Sequence, residues 1–174
     1  MPAPVGGWNA RDALDQMADT DAVIMDNWFP RANRVVTRPG YIEHCDTGTG
    51  EAVHTLLEFE NGANTKLLAF SNGGIYDTST SSPSTLATGL DASAVVVGIQ
   101  YGAYLLFCNG VDNAKSYDGS TVSDALHTGL TLTEWNFVHM HASRLYVAEK
   151  NSASFWYSGT DSPAGGALSE FDLS

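Results

Sequence analysis

The stretch AVVVGIQYGAYLLFCNGVDNAKSYDGS, residues 94–120, decides how this chain is read. Within it Val, Ile, Leu, Phe and Tyr alternate with smaller or polar residues over short runs, the pattern of half-buried strands. Tyr101-Gly-Ala reads as one turn, and Asp118-Gly119 supplies the positive φ of a tight hairpin. The same order of runs occurs on either side. HTLLEFE, KLLAF and GGIYD precede it, and WNFVHMH, RLYVAE and SFWYS follow it.

The spacing is regular. Leu86-Ala-Thr-Gly-Leu90 returns 40 residues later as Leu126-His-Thr-Gly-Leu130. Leu105-Leu-Phe returns at the same shift as Leu145-Tyr-Val, and Leu67-Leu-Ala-Phe opens that set. Tyr76, Tyr117 and Tyr157 head similar turns and are expected at equivalent structural positions. Three or four strands per forty residues, repeated head to tail, predict an all-β fold of β-propeller-like blades. The units run over about 53–90, 91–130 and 131–174, and a two-sheet β-sandwich is the alternative. A closed propeller needs about four blades. The ring is therefore expected to be finished by an irregular blade, by further polypeptide or by a neighbour. The closing GALSEFDLS reads as the start of another strand, and the chain as part of a longer design.

Residues 1–45 are a different object from the blades of 46–174. Pro2, Pro4, Gly6 and Gly7 predict an extended arm ending in Trp8. Thr20 or Asp19 is placed to cap a short helix at 21–27, which Pro30 terminates. Val35 and Val36 read as a strand leading into a type II turn at Arg38-Pro39-Gly40-Tyr41. Trp28-Phe29-Pro30 has two readings: a plug over an open sheet edge, or an anchor in a neighbouring subunit.

Twenty Asp and Glu stand against eight Lys and Arg, a formal charge of −12. Such a surface repels a phosphate backbone, which excludes sequence-reading DNA binding but suits a wall past which DNA slides. Arg11, Arg31, Arg34 and Arg38 are half of the cations and all lie near the start. They either pair locally with Asp12, Asp21 and Asp26 or dock on an acidic partner. Cys45 and Cys108 show no CxxC spacing and read as free thiols in a reducing compartment. Neither a signal peptide nor an apolar run of membrane-spanning length is evident, so a soluble protein is expected.

Little in the chain points to catalysis. His139 and His141 share one strand face, half of a metal site, with His127, Glu134 or Glu149 as distant candidates for a third ligand. Glu58 and Glu60 likewise share a face but read as a solvated one. Neither a G-x-S-x-G elbow, an EF-hand loop nor a phosphate-cradling Gly loop occurs. The expectation is no enzyme, no cofactor and no metal.

GGWNARDALDQM (6–17), TDAVIMDNWFPRANRVVTRPGY (20–41) and RLYVAEKNSASFWYSGTDSPAGGALSEFDLS (144–174) resemble tail proteins of short-tailed bacteriophages. The nearest class is the nozzle, or tail tubular protein B. Asp26-Asn-Trp-Phe-Pro30 and Arg38-Pro-Gly-Tyr41 carry the most specific part of that resemblance. It implies a propeller with added domains, made in the host cytoplasm and built into the virion tail as a ring of six copies. The ring lies below the portal and adaptor, and DNA leaves through it without sequence-specific binding. The assembly residues expected on this reading are Trp8, Arg11, Asp26, Trp28, Phe29, Pro30, Arg31, Arg34, Arg38 and Tyr41. A carbohydrate- or host-receptor-binding propeller module is the alternative.

Overall fold

The alternating runs do form strands. The computed structural model describes residues 3–62 and 64–173, and apart from one 3-10 turn at Leu132–Glu134 its regular structure is all β. The chain divides into two compact units, residues 1–43 and 44–174.

In unit one, β1 (Gly7–Trp8) pairs in parallel with β2 (Asp21–Ala22). A hairpin follows, with β3 (Trp28–Arg31) antiparallel to β4 (Arg34–Thr37). The helix expected at 21–27 is absent, because its backbone groups find partners elsewhere. Gly6 N–H donates to Thr20 O at 2.8 Å and Asn9 N–H to Ala22 O at 3.0 Å. The Asp21 carboxylate accepts from Asn9 Nδ2 at 2.8 Å, and Asn27 takes a left-handed φ of 60°. Val23 and Ile24 are β-branched and resist a helix weakly in any case. The type II turn is also absent, since Gly40 lacks the positive φ it demands. Arg38 N–H instead donates to Asn27 O at 2.7 Å, continuing the hairpin.

Unit two holds three four-stranded antiparallel sheets in series. Sheet I comprises β5 (Val53–Asn61), β6 (Asn64–Ser71), β7 (Gly74–Asp77) and β8 (Ser84–Ala87). Sheet II comprises β9 (Val97–Tyr101), β10 (Tyr104–Cys108), β11 (Lys115–Tyr117) and β12 (Val122–Asp124). The next strands are β13 (His127–Thr128), β14 (Trp135–His141), β15 (Arg144–Glu149), β16 (Phe155–Tyr157), β17 (Gly166–Ala167) and β18 (Ser169–Phe171). Sheet III is β14-β15-β16-β18, while β13 and β17 clasp each other in parallel. The GALSEF segment thus supplies a clasp and the fourth strand of sheet III; it does not open a further unit, as the sequence had suggested.

The sheets stack in order, with the first strand of each beside the first strand of the next. This is the arrangement of consecutive blades and not of two facing layers. Register explains how it packs. Leu68, Leu106 and Tyr146 hold the same place, opposite Leu57, Ile99 and His139 respectively. Successive side chains point to opposite faces, so each sheet has a forward face, which in sheets I and II meets the next sheet, and a backward face, which in sheets II and III meets the previous one.

Forward residues Phe59, Leu68 and Phe70 of sheet I meet backward residues Leu105, Phe107 and Tyr117 of sheet II in one buried cluster. Phe59 meets Tyr117 edge-on at 5.1 Å, and Phe70 meets Phe107 at 5.2 Å. Forward residues Tyr101, Leu106 and Cys108 of sheet II meet Trp135, Val138, Leu145 and Val147 of sheet III in a second. The Tyr101 hydroxyl ties that junction, donating to Ser143 O at 2.9 Å and accepting from Ser162 N–H at 2.7 Å. The three blade tyrosines are not equivalent. Tyr117 lies opposite Leu105 and Tyr76 opposite Ala69, on backward faces, whereas Tyr157 lies opposite Tyr146 on the forward face of sheet III. An offset of one residue reverses the face, which sequence spacing alone does not reveal.

Close approach of sheets I and II depends on Gly98. A Cβ there would lie 2.6 Å from Leu57 Cδ1 and 2.9 Å from Phe107 Cβ. Gly98→Ala is expected to destabilise the chain by about 1–3 kcal/mol through overpacking. Gly40→Ala, with nothing within 4 Å, should stay within about 0.5 kcal/mol of the wild type. Urea denaturation of the two variants checks both values.

Candidate assembly surfaces

Unit one presents its large side chains to solvent. Trp8 is 70% exposed, Trp28 49%, Phe29 46% and Tyr41 95%, and Arg11, Arg31, Arg34 and Arg38 are all exposed. Trp28 stands between two grooves. One, of about 520 Å³, is lined by Pro4, Ile24, Met25, Arg34 and Val35. The other, of about 570 Å³, is lined by Trp8, Val23, Met25, Asp26 and Pro30.

The arm bearing Trp8 is pinned by its own polar groups. Trp8 Nε1 donates to Val23 O at 3.1 Å. Asn9 Oδ1 accepts from the backbone N–H of Arg11 and of Asp12, and its Nδ2 donates to Asp12 and Asp21. Arg11 Nε reaches Asp12 Oδ1 at 2.9 Å, and that hydrogen bond, with the one from Asn9, holds the Asp12 carboxyl below its ordinary range. Among the described residues Arg31, Arg34 and Arg38 make no ion pair, and Asp26 is exposed beside Trp28. The structure therefore brings Trp28, Phe29, Pro30, Arg31 and Arg34 together on one hairpin. It gives Arg11 a local partner and leaves Arg38 and Tyr41 on the chain beyond.

A second surface was not legible as one in the sequence. The forward face of sheet III carries Tyr146, Phe155, Tyr157 and Phe171 in an aromatic band, with Phe155 stacked on Phe171 at 5.0 Å. The Arg144 guanidinium lies 5.8 Å from the centre of the Tyr157 ring. Phe137, His139 and His141 lie exposed on the same face. The two histidines share that face as their spacing requires, and no group of three His, Cys, Asp or Glu able to hold a metal is present among the described residues. On the equivalent face of sheet II, Tyr101, Leu106 and Cys108 are buried against sheet III.

Cys45 and Cys108 are free, and burial pushes the Cys108 thiol up to about 12. His127 is buried against Trp135, their ring centres 5.7 Å apart. Its Nε2 meets Ser162 O at 3.1 Å, while its Nδ1 has no hydrogen-bond partner among the described residues. No known family's sequence profile and no curated protein matches this chain. Among the described residues no helix is long and apolar enough to cross a membrane.

Burial lowers the His127 pKa below its ordinary 6.5, and the Ser162 carbonyl only partly offsets this. An unfolded chain therefore takes up a proton that folded His127 resists. Its stabilising contribution is fully present above about pH 6.5 and is lost as pH falls below that value through the lowered folded pKa. Asp77, Asp118 and Asp124 are held below their ordinary 3.8, so their losses come at lower pH. Wild-type stability is expected to fall between pH 7 and 5 with a slope of at most about 1.4 kcal/mol per unit. Urea midpoints of His127→Asn over the same range should show a smaller slope.

Proposed function

We propose that this chain is a structural, non-catalytic component of a phage tail, a nozzle-type subunit that joins copies of itself around a channel for DNA. The observation that carries this reading is the hairpin of unit one, which holds Trp28, Phe29, Arg31 and Arg34 exposed together. Trp and Arg dominate interface hot spots, and both aromatic rings are poorly buried within the chain itself. The acidic body adds support, because a formal charge of −12 keeps a DNA conduit from retaining its cargo. The resemblance to nozzle proteins supplies the setting: the virion tail, a ring of six copies, and docking on the adaptor below the portal.

The test is the mass and shape of the native particle. Light scattering and negative-stain class averages are expected to give rings with a central hole. Trp28→Ala should dissolve those rings while far-ultraviolet circular dichroism keeps its β spectrum. A wild-type chain without rings at any concentration, alone and with portal-side adaptor, would sink the proposal.

A further inference from the structure

We propose that the outer edge of β4 is a docking site for an extended segment of another protein, one that alternates apolar and acidic side chains. This deepens the proposed function: it rests on the reading of the hairpin as an assembly surface and names what one edge of that surface takes.

The ladder of the hairpin shows which backbone groups are spare. Arg38 N–H donates to Asn27 O, so those two residues form a hydrogen-bonded pair. Bonded and non-bonded pairs alternate along an antiparallel ladder. Phe29–Val36 and Arg31–Arg34 are therefore bonded pairs, while Trp28–Thr37 and Pro30–Val35 turn their backbone groups outward. The two outer edges then differ. On β3 one outward position is Pro30, which has no N–H to offer, and proline at such a place blunts an edge. On β4 Val35 and Thr37 each direct an N–H and a C=O outward, and among the described residues none of these groups is hydrogen-bonded. Such an edge is a template for one more strand.

Side chains decide which strand fits. By register Phe29, Arg31, Arg34 and Val36 share one face of the hairpin, and Trp28, Pro30, Val35 and Thr37 share the other. The second face borders the groove of about 520 Å³, which Pro4, Ile24, Met25 and Trp28 make apolar and to which Arg34 brings the charge. On the first face Arg31 and Arg34 stand directly opposite each other, both exposed, and among the described residues neither makes an ion pair. Like charges so placed are unfavourable, and a carboxylate set beside Arg34 relieves them. A strand added to β4 thus lays acidic side chains on the arginine face and apolar ones over the groove. The β4 of a second copy does not meet this need, because two hairpins joined edge to edge would gather four guanidiniums on one face.

Fluorescence anisotropy of a labelled peptide, Glu-Val-Glu-Val-Glu, mixed with the full chain tests this. The peptide should bind and should slow amide exchange in residues 34–37, read by mass spectrometry. Its counterpart Lys-Val-Lys-Val-Lys should bind at least about tenfold more weakly. Val35→Pro removes one outward donor without touching the ladder, as Pro30 does opposite it, and Arg34→Glu reverses an exposed charge. Each should weaken binding of the acidic peptide at least about tenfold, with the circular dichroism unchanged. Arg31→Glu/Arg34→Glu should prefer the lysine peptide. Failure of the acidic peptide to bind, equal binding of the two peptides, or binding that Arg34→Glu leaves intact would overturn the proposal. So would self-association of the chain that Val35→Pro abolishes, which would seat a second copy on β4. Rings built by a chain that ignores the peptide would sink this inference alone. Peptide binding of the expected kind by a chain that forms no rings would uphold the docking edge while the tail reading fell.

Discussion

A sheet that carries apolar side chains on both faces has to be covered on both, since each exposed Å² of apolar surface forfeits roughly 25 cal/mol of burial. Sheet II is the satisfied case. Along β10, Leu105 and Phe107 point back to sheet I while Leu106 and Cys108 point forward to sheet III, and all four are buried. A continuous apolar run such as YLLFC is what a strand covered on both sides requires. Sheets I and III each receive one of their covers from sheet II, and the design of their remaining faces follows from that. Sheet I is partly covered by residues 44–51, whose His44 Nε2–H donates to Thr78 O at 2.8 Å. Sheet III keeps an aromatic face.

Polar groups hold the stack in register where apolar contact alone would allow sliding. Thr55 Oγ1 donates to Val96 O across the first junction, and Tyr101 bridges Ser143 and Ser162 across the second. The β13–β17 clasp does the same for the connection into sheet III, with Leu168 N–H donating to Thr128 O at 2.7 Å. Behind that clasp, His127 Nδ1 and Trp135 Nε1 are buried without hydrogen-bond partners among the described residues. Such atoms are costly to bury, and burial also lowers the His127 pKa.

Unit one follows a different logic. Its strands are two to four residues long, and its order comes from side-chain hydrogen bonds around Asn9 more than from a core. Exposed Trp, Phe and Arg on such a scaffold suit contact with another molecule better than self-burial. The two units thus offer two kinds of exposed aromatic surface, the hairpin of unit one and the forward face of sheet III.

Much of the architecture is written locally. Alternation in AVVVGIQ, YLLFC and RLYVAE sets strand positions, because a period of two is a property of the backbone itself. Gly119, with φ +96°, marks a turn for a similarly local reason. The 40-residue recurrence of Leu105-Leu-Phe as Leu145-Tyr-Val gives the repeat. Three features needed the tertiary structure. Residues 21 and 22 form a strand because Gly7 and Trp8 lie alongside, a partner far away in sequence that outweighs the local capping signal. Ser169–Phe171 completes sheet III because Phe155–Tyr157 offers it an edge, although the same residues read equally well as a new beginning. Tyr157 faces away from the covered junction because its strand is offset by one residue from that of Tyr117. Sequence determines that side chains alternate; which face ends up covered is decided only when the neighbouring sheet is in place.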